Sequence, residues 1–168
     1  MPNRIAFLAD ETKGLIGTAS DIIFGHTLLG FFKSFLNPEA LDNSLACMCG
    51  ENIRHVKYKM GLLTSRFGAN HPLKCCPTCI GQDVRSTGWP YRHLAHQAPG
   101  VWFCAKHGDR LRCSLLKSTG VQRFDWVLPD TRYLATAREF PDSALARDFS
   151  AFCAARVARR RCNRATRR

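Results

Sequence analysis

Two short groups carry side chains able to do chemistry: Cys76-Pro77-Thr78-Cys79 and, after 24 intervening residues, Cys104-Ala105-Lys106-His107. Each holds two donors separated by two residues, a spacing at which a tight turn sets both side chains on the same side. Pro77 presets φ for such a turn. Gly108, directly after His107, can take a positive φ where the second turn requires it. Three thiolates and one imidazole complete a tetrahedral Zn²⁺ shell with no open position, the arrangement of a structural site. The expected cofactor is therefore Zn²⁺, held by Cys76, Cys79, Cys104 and His107. Its binding energy, roughly 10–16 kcal/mol, would act as folding energy for a segment with little core of its own.

The other donors fit a second site less well. Cys75 adjoins a proposed ligand, and adjacent residues rarely face one ion, so it is a second-choice ligand. His93 and His96 could stand in for His107 but lack the paired spacing. Cys47 and Cys49 form a C-x-C with no matching pair and read as small packing residues. Cys113, Cys153 and Cys162 are isolated. Nine cysteines, an odd number, beside an N-terminus lacking an apolar signal stretch argue against a disulfide framework.

Catalytic patterns are not met. A zinc deaminase needs an upstream His-x-Glu, and none of the six histidines is followed by x-Glu. Phosphate-binding glycine loops, H-E-x-x-H and G-x-S-x-G are missing. Only Asp83 and Asp109 lie between residues 75 and 113, too few carboxylates for a metal-dependent nuclease. The expectation is a protein that is not an enzyme and takes no small-molecule substrate.

The elements that must position this pair of groups are read from periodicity. Residues 1–21 give no strong period and are expected to be poorly structured. Within a helical part spanning 22–72, Ile22, Phe24, Leu28, Leu29, Phe31, Phe32, Phe35 and Leu36 repeat at helical spacing behind Asp21 as cap, up to Asn37-Pro38. Pro38 opens a second helix through Leu41 and Leu45 toward Cys49-Gly50. Asn52 to Arg66 reads as a weaker third helix. Residues 73–113 form the zinc-binding core, with no long amphipathic period. In 114–155, Phe124 to Pro129 reads as a short strand. Ser143 to Val157 reads as a helix capped by Asp142 or Ser143, its inner face being Leu145, Phe149, Phe152, Cys153 and Val157. The fold class is α, with a small zinc-stabilised, ribbon-like and irregular core of few short strands.

At 168 residues, with no apolar run near the roughly 20 needed to span a bilayer, the chain reads as cytoplasmic and without membrane contact. Its net charge of +12 is uneven, because residues 156–168 hold seven arginines and no acid. Such a tail binds phosphate backbones without choosing a sequence. In the core, Arg85, Arg92, Lys106, Arg110 and Arg112 are the candidate nucleic-acid-binding residues.

The run Leu73-Lys74-Cys75-Cys76-Pro77-Thr78-Cys79, then Pro90-Tyr91-Arg92-His93-Leu94-Ala95-His96-Gln97-Ala98-Pro99-Gly100-Val101-Trp102-Phe103-Cys104-Ala105-Lys106-His107-Gly108, resembles the zinc core of the TniQ/TnsD family of transposition proteins. Gly25-His26-Thr27-Leu28-Leu29 and Phe35-Leu36-Asn37-Pro38-Glu39 resemble that family's His-Thr-Leu region. The likeness covers about residues 22–152. It implies a target-site selector that recognises DNA or docks on a guide-RNA effector complex, and that recruits an AAA+ ATPase regulator. It assigns the zinc to Cys76, Cys79, Cys104 and His107, and has His96, Gln97, Pro99 and Gly100 hold the linking loop against the metal core. Departures are Arg92 where the family has tryptophan, the unmatched residues 1–21, and the lack of room for the family's helix-turn-helix domains. The last points to a truncated member whose Arg-rich end reflects a frame change. Alternatives are a protein-interaction scaffold without DNA contact, built on Ile22–Leu36, and an inactive remnant.

Overall fold

The computed structural model describes residues 2–52, 56–61, 72–115, 127–136 and 142–158. The chain divides into two compact units, one of residues 1–69 with 157–168 and the other of residues 70–156. Most described elements are helices, joined by one small antiparallel sheet. Among the described residues no helix is long and apolar enough to cross a membrane.

The first unit is helical. Residues expected to be irregular form helix α1, Ile5–Glu11, which buries Ile5 and Ala9. Helix α2, Ala19–His26, is capped by Thr18 in a reciprocal box with Asp21, so Asp21 sits at the third helical position and is not itself the cap. The single helix expected to run to Leu36 breaks at Thr27. There the Thr27 hydroxyl donates to the Ile23 carbonyl (2.7 Å) and accepts from the Leu29 amide (3.1 Å), ending one helix and starting the next. Helix α3, Leu29–Phe32, continues into a 3₁₀ turn over Lys33–Phe35. Gly30 is required at this corner, since a Cβ there would lie 2.4 Å from the Phe24 carbonyl oxygen.

Helix α4, Pro38–Cys49, follows its sequence signals, with Asn37 Oδ1 accepting from the Ala40 amide at 2.7 Å and Pro38 at the first position. Helix α5, Val56–Lys59, falls inside the third expected helix, whose residues 53–55 and 62–66 lie outside the described residues. Ile22, Ile23, Leu29, Met48, Val56 and Met60 form the core, with Cys47 and Cys49 packed at its edge. Of the four phenylalanines of the apolar run, Phe35 is exposed, whereas Phe24, Phe31 and Phe32 are half-buried.

In the second unit, strand β1 (Lys74–Cys75) pairs antiparallel with β2 (Arg112–Ser114), and β2 pairs with β3 (Leu134–Thr136). The strand expected over Phe124–Pro129 is not formed at Val127–Pro129, and Phe124–Trp126 lie outside the described residues. Helix α6, Pro77–Thr87, occupies a stretch expected to be irregular. A short helix α7, Leu94–Gln97, leads into the turn at Gly100.

Helix α8, Ala144–Ala158, starts at Ser143, whose hydroxyl accepts from the Ala146 amide (3.2 Å), while Asp142 is engaged by Arg147. Its inner face differs from the expected one. Ala146, Ser150 and Cys153 are buried, whereas Leu145 is 79 % exposed and Phe149 and Phe152 are also largely open. The reason is proximity. The Ser150 hydroxyl accepts from the backbone amides of Trp102 (3.2 Å) and Phe103 (3.3 Å), and only small side chains let the helix approach the chain that closely.

Candidate metal centre

Cys76 lies at the N-cap of α6 and Cys79 one turn in, so the helix start itself brings the first donor pair together. The Cys76 sulfur accepts from the Cys79 amide at 3.4 Å, doing for α6 what a serine hydroxyl does elsewhere. The second pair rides on a hairpin. Phe103 bridges Arg110, Leu111 N donates to Trp102 O (2.8 Å), and Cys104 N donates to Asp109 O (2.8 Å). Gly108 has φ +71°, as that turn demands.

These two turns bring Cys76, Cys79, Cys104 and His107 together with all four donor atoms within 4.8 Å of one another. His107 Nδ1 lies 3.5, 3.4 and 3.6 Å from the sulfurs of Cys76, Cys79 and Cys104, and the Cys79 and Cys104 sulfurs are 3.7 Å apart. All three cysteines are buried. The arrangement could hold a metal ion. Burial, then the neighbouring cysteines, pushes the Cys79 thiol far up, and burial chiefly pushes Cys76 up to about 11. Three thiols this close resist ionising together, and a bound cation is what would relieve them.

Residues around the cluster tie it in place. Asp109 accepts from the Thr78 hydroxyl (2.5 Å), clasping the second turn to the first. His96 is buried with Nε2 4.0 Å from the Cys79 sulfur; burial, then His93 and Lys74, pulls it down to about 4, so it is neutral at pH 7. His93 instead pairs with buried Asp83 at 2.8 Å. Neither histidine takes the place of His107. Cys75 also stays outside the four-donor set, its sulfur 3.4 Å from Arg92 Nη1. Cys113 and Cys153 remain free thiols.

The linking loop is held by two residues. Gln97 Oε1 accepts from the Lys74 amide (3.0 Å), and its Nε2 donates to the Lys74 carbonyl (2.7 Å). The Lys74 side chain runs inward, with the residue only 1 % exposed. Its Nζ donates to the carbonyls of Val101 (2.6 Å) and Ala98 (3.0 Å) and lies 4.9 Å from the Trp102 ring centre. Burial outweighs the attraction of nearby Cys113 and Cys153 and lowers Lys74 to about 8. Sequence reasoning gave Lys74 no role, because no local pattern foretells a loop closing over it. Arg147 was missed for the same reason. It donates to the Gly108 carbonyl (3.0 Å) and lies over the Phe103 ring.

The five basic residues singled out in sequence are not gathered on one spot. Arg110 and Arg112 line a cleft of about 410 Å³ with Pro77, Thr78, Asp109 and Leu111. Lys106 reaches Gln82 Oε1 (2.5 Å), and Arg85 is exposed in the last turn of α6. Arg92, half-buried, donates to the Cys75 sulfur at 3.4 Å. The Arg-rich tail from residue 159 onward lies outside the described residues.

Compared with known proteins, the chain matches no family model and no curated protein.

Proposed function

We propose that this chain is a non-enzymatic recognition module stapled by one structural Zn²⁺, which binds DNA or a guide-RNA nucleoprotein in transposon target-site selection and recruits an AAA+ ATPase. The observation that carries the reading is the closed donor set of Cys76, Cys79, Cys104 and His107. With Zn–S near 2.3 Å and Zn–N near 2.05 Å, a regular tetrahedron has edges of about 3.8 Å between sulfurs and about 3.5 Å from sulfur to nitrogen. The distances here, 3.7 Å and 3.4–3.6 Å, fit those edges. Four protein donors leave the ion no position for water or substrate, which favours a structural role over a catalytic one.

The link to transposition rests on the resemblance to TniQ/TnsD proteins. Two of its motif residues are in use around the cluster: Gln97 ties the linking loop to Lys74, and His96 lies 4.0 Å from the Cys79 sulfur of the first donor pair. Free buried thiols fit a reducing, cytoplasmic setting.

The test is anisotropy of a labelled duplex titrated with zinc-loaded chain across a salt series, for the wild type and for a chain whose arginines in 159–168 are changed to glutamine. Retained, salt-dependent binding by the altered chain, together with capture of an AAA+ ATPase of the transposition-regulator class, is expected. Binding that disappears with the tail charges reduces the contact to generic charge attraction and overturns recognition by the body.

A further inference from the structure

Helix α6 does more than present two sulfurs. Along its solvent side run Gly81, Gln82 and Arg85, and just past its end stand Trp89 and Tyr91. Lys106, from the second metal-binding turn, is carried onto this side by its bond to Gln82 Oε1. The Arg85 guanidinium reaches back along this side, its Nη1 lying at ordinary contact distance, 3.5 Å, from where a Cβ on Gly81 would be. The only carboxylate on α6, Asp83, is buried and consumed by His93, so it does not oppose an anion on this side.

At the C-terminal end Gly88 turns the chain with φ +86°, and Trp89 is left 67 % exposed and Tyr91 46 % exposed. Tyr91 is braced from one side. Its ring stacks on His93 (4.5 Å, 24°), and His93 contacts His96, which abuts the Cys79 sulfur. With one face taken by His93, the exposed part of Tyr91 belongs to the opposite side. Two exposed aromatic side chains within a few residues of Arg85 in the chain suit a ligand that is both anionic and flat.

We propose that this strip, Lys106 and Arg85 followed by Trp89 and Tyr91, binds a short single-stranded nucleic acid segment, phosphates on the cations and an unpaired base on the aromatic rings. The proposal deepens the recognition-module reading and rests on it. A duplex hides its base faces, so stacking selects single strands, as at a melted target or the end of a guide. From Gln82 to the end of α6 at Thr87 the axis rises about 7.5 Å at 1.5 Å per residue. That spans about two nucleotide steps at ~3.4 Å each along a stacked strand.

The experiment uses the zinc-loaded full chain and a fluorescent ten-nucleotide dT oligomer, with an unlabelled duplex as competitor. Stacking is worth about 1–3 kcal/mol per base, so Trp89→Ala is expected to weaken dT binding about 5- to 150-fold, with Trp89→Phe recovering most of it. Arg85→Ala with Lys106→Ala should lower the slope of log K against log salt by about 1.4. Metal content of each variant, read by elemental analysis, shows that the core has stayed intact. Unchanged dT affinity in Trp89→Ala and in the double variant, with duplex binding preserved, overturns the strip and leaves the module reading standing. A chain with its tail arginines neutralised that binds neither dT nor duplex overturns the reading beneath it. Docking of a protein on the aromatic pair, with no dT affinity at all, also overturns the strip.

Discussion

Gln97 meets Lys74 as a neighbouring strand would, its carboxamide taking the amide hydrogen of Lys74 and returning one to the same residue's carbonyl. The β1 edge opposite β2 is thereby closed by one side chain. Gln97→Glu keeps the shape but turns a donor into an anion facing a carbonyl. Such a buried mismatch costs about 1–3 kcal/mol. The variant is expected to unfold at lower urea concentration in a denaturant titration, with its zinc content unchanged in native buffer.

Zinc uptake by the reduced apoprotein is expected to release at least about two protons near pH 7, because Cys76 and Cys79 are raised and must ionise to bind. Affinity should then fall at least about a hundredfold per pH unit on acidification while these two thiols start protonated. Calorimetry in buffers of differing ionisation heat counts the protons directly. A count near zero would mean that the thiols are not the donors.

Removing the ion should also unmake a helix. Cys76 both caps α6 and faces the cluster, so Cys76→Ser with Cys104→Ser is expected to lose the metal and the second unit's cooperative transition together, while the core around Ile23 and Met48 persists. Circular dichroism during a chelator titration checks this: one transition should vanish and the other remain.

Lys74 gives a pH signature. Its value falls from 10.5 in the unfolded chain to about 8 in the folded one. Between those limits the unfolded chain holds a proton that the folded chain has released, so stability contributed here rises with pH above about 8 and is level below it. The full span corresponds to about 3 kcal/mol. Wild type is therefore expected to gain on Lys74→Met as pH climbs from 8 to 9.5 in urea titrations, the thiol contributions largely cancelling in the comparison. Parallel curves would contradict the assignment.

Gly100 carries φ +74°, and a Cβ on it would lie 2.6 Å from Phe149 Cε1. Gly100→Ala is expected to lower the melting temperature through both effects. Adding Phe149→Ala removes the clash but not the left-handed backbone, which alone costs about 1–2 kcal/mol, so recovery should be partial.

What could be read from the sequence was what is local. Asn37-Pro38 announced α4 because cap and first turn are neighbours in the chain. The four donors were legible because each pair closes on itself within two residues. The break at Thr27 was not, since helical spacing continues across it and only a hydroxyl marks the corner. Helix α8 was read inside out. Large apolar side chains argued for burial of Leu145, Phe149 and Phe152, yet the approach to Trp102 and Phe103 admits only Ala146, Ser150 and Cys153. Lys74 lay beyond reach because its partners are 23 to 27 residues away.

The Ser150 hydroxyl has one further effect. It takes two amide hydrogens from the hairpin that carries Cys104 and His107 and gives its own to the Ala146 carbonyl. Sliding α8 by one turn in either direction would bring Ala146 or Ala154 to that spot, and neither has an oxygen to offer. The helix therefore has a single seat, indexed by one atom.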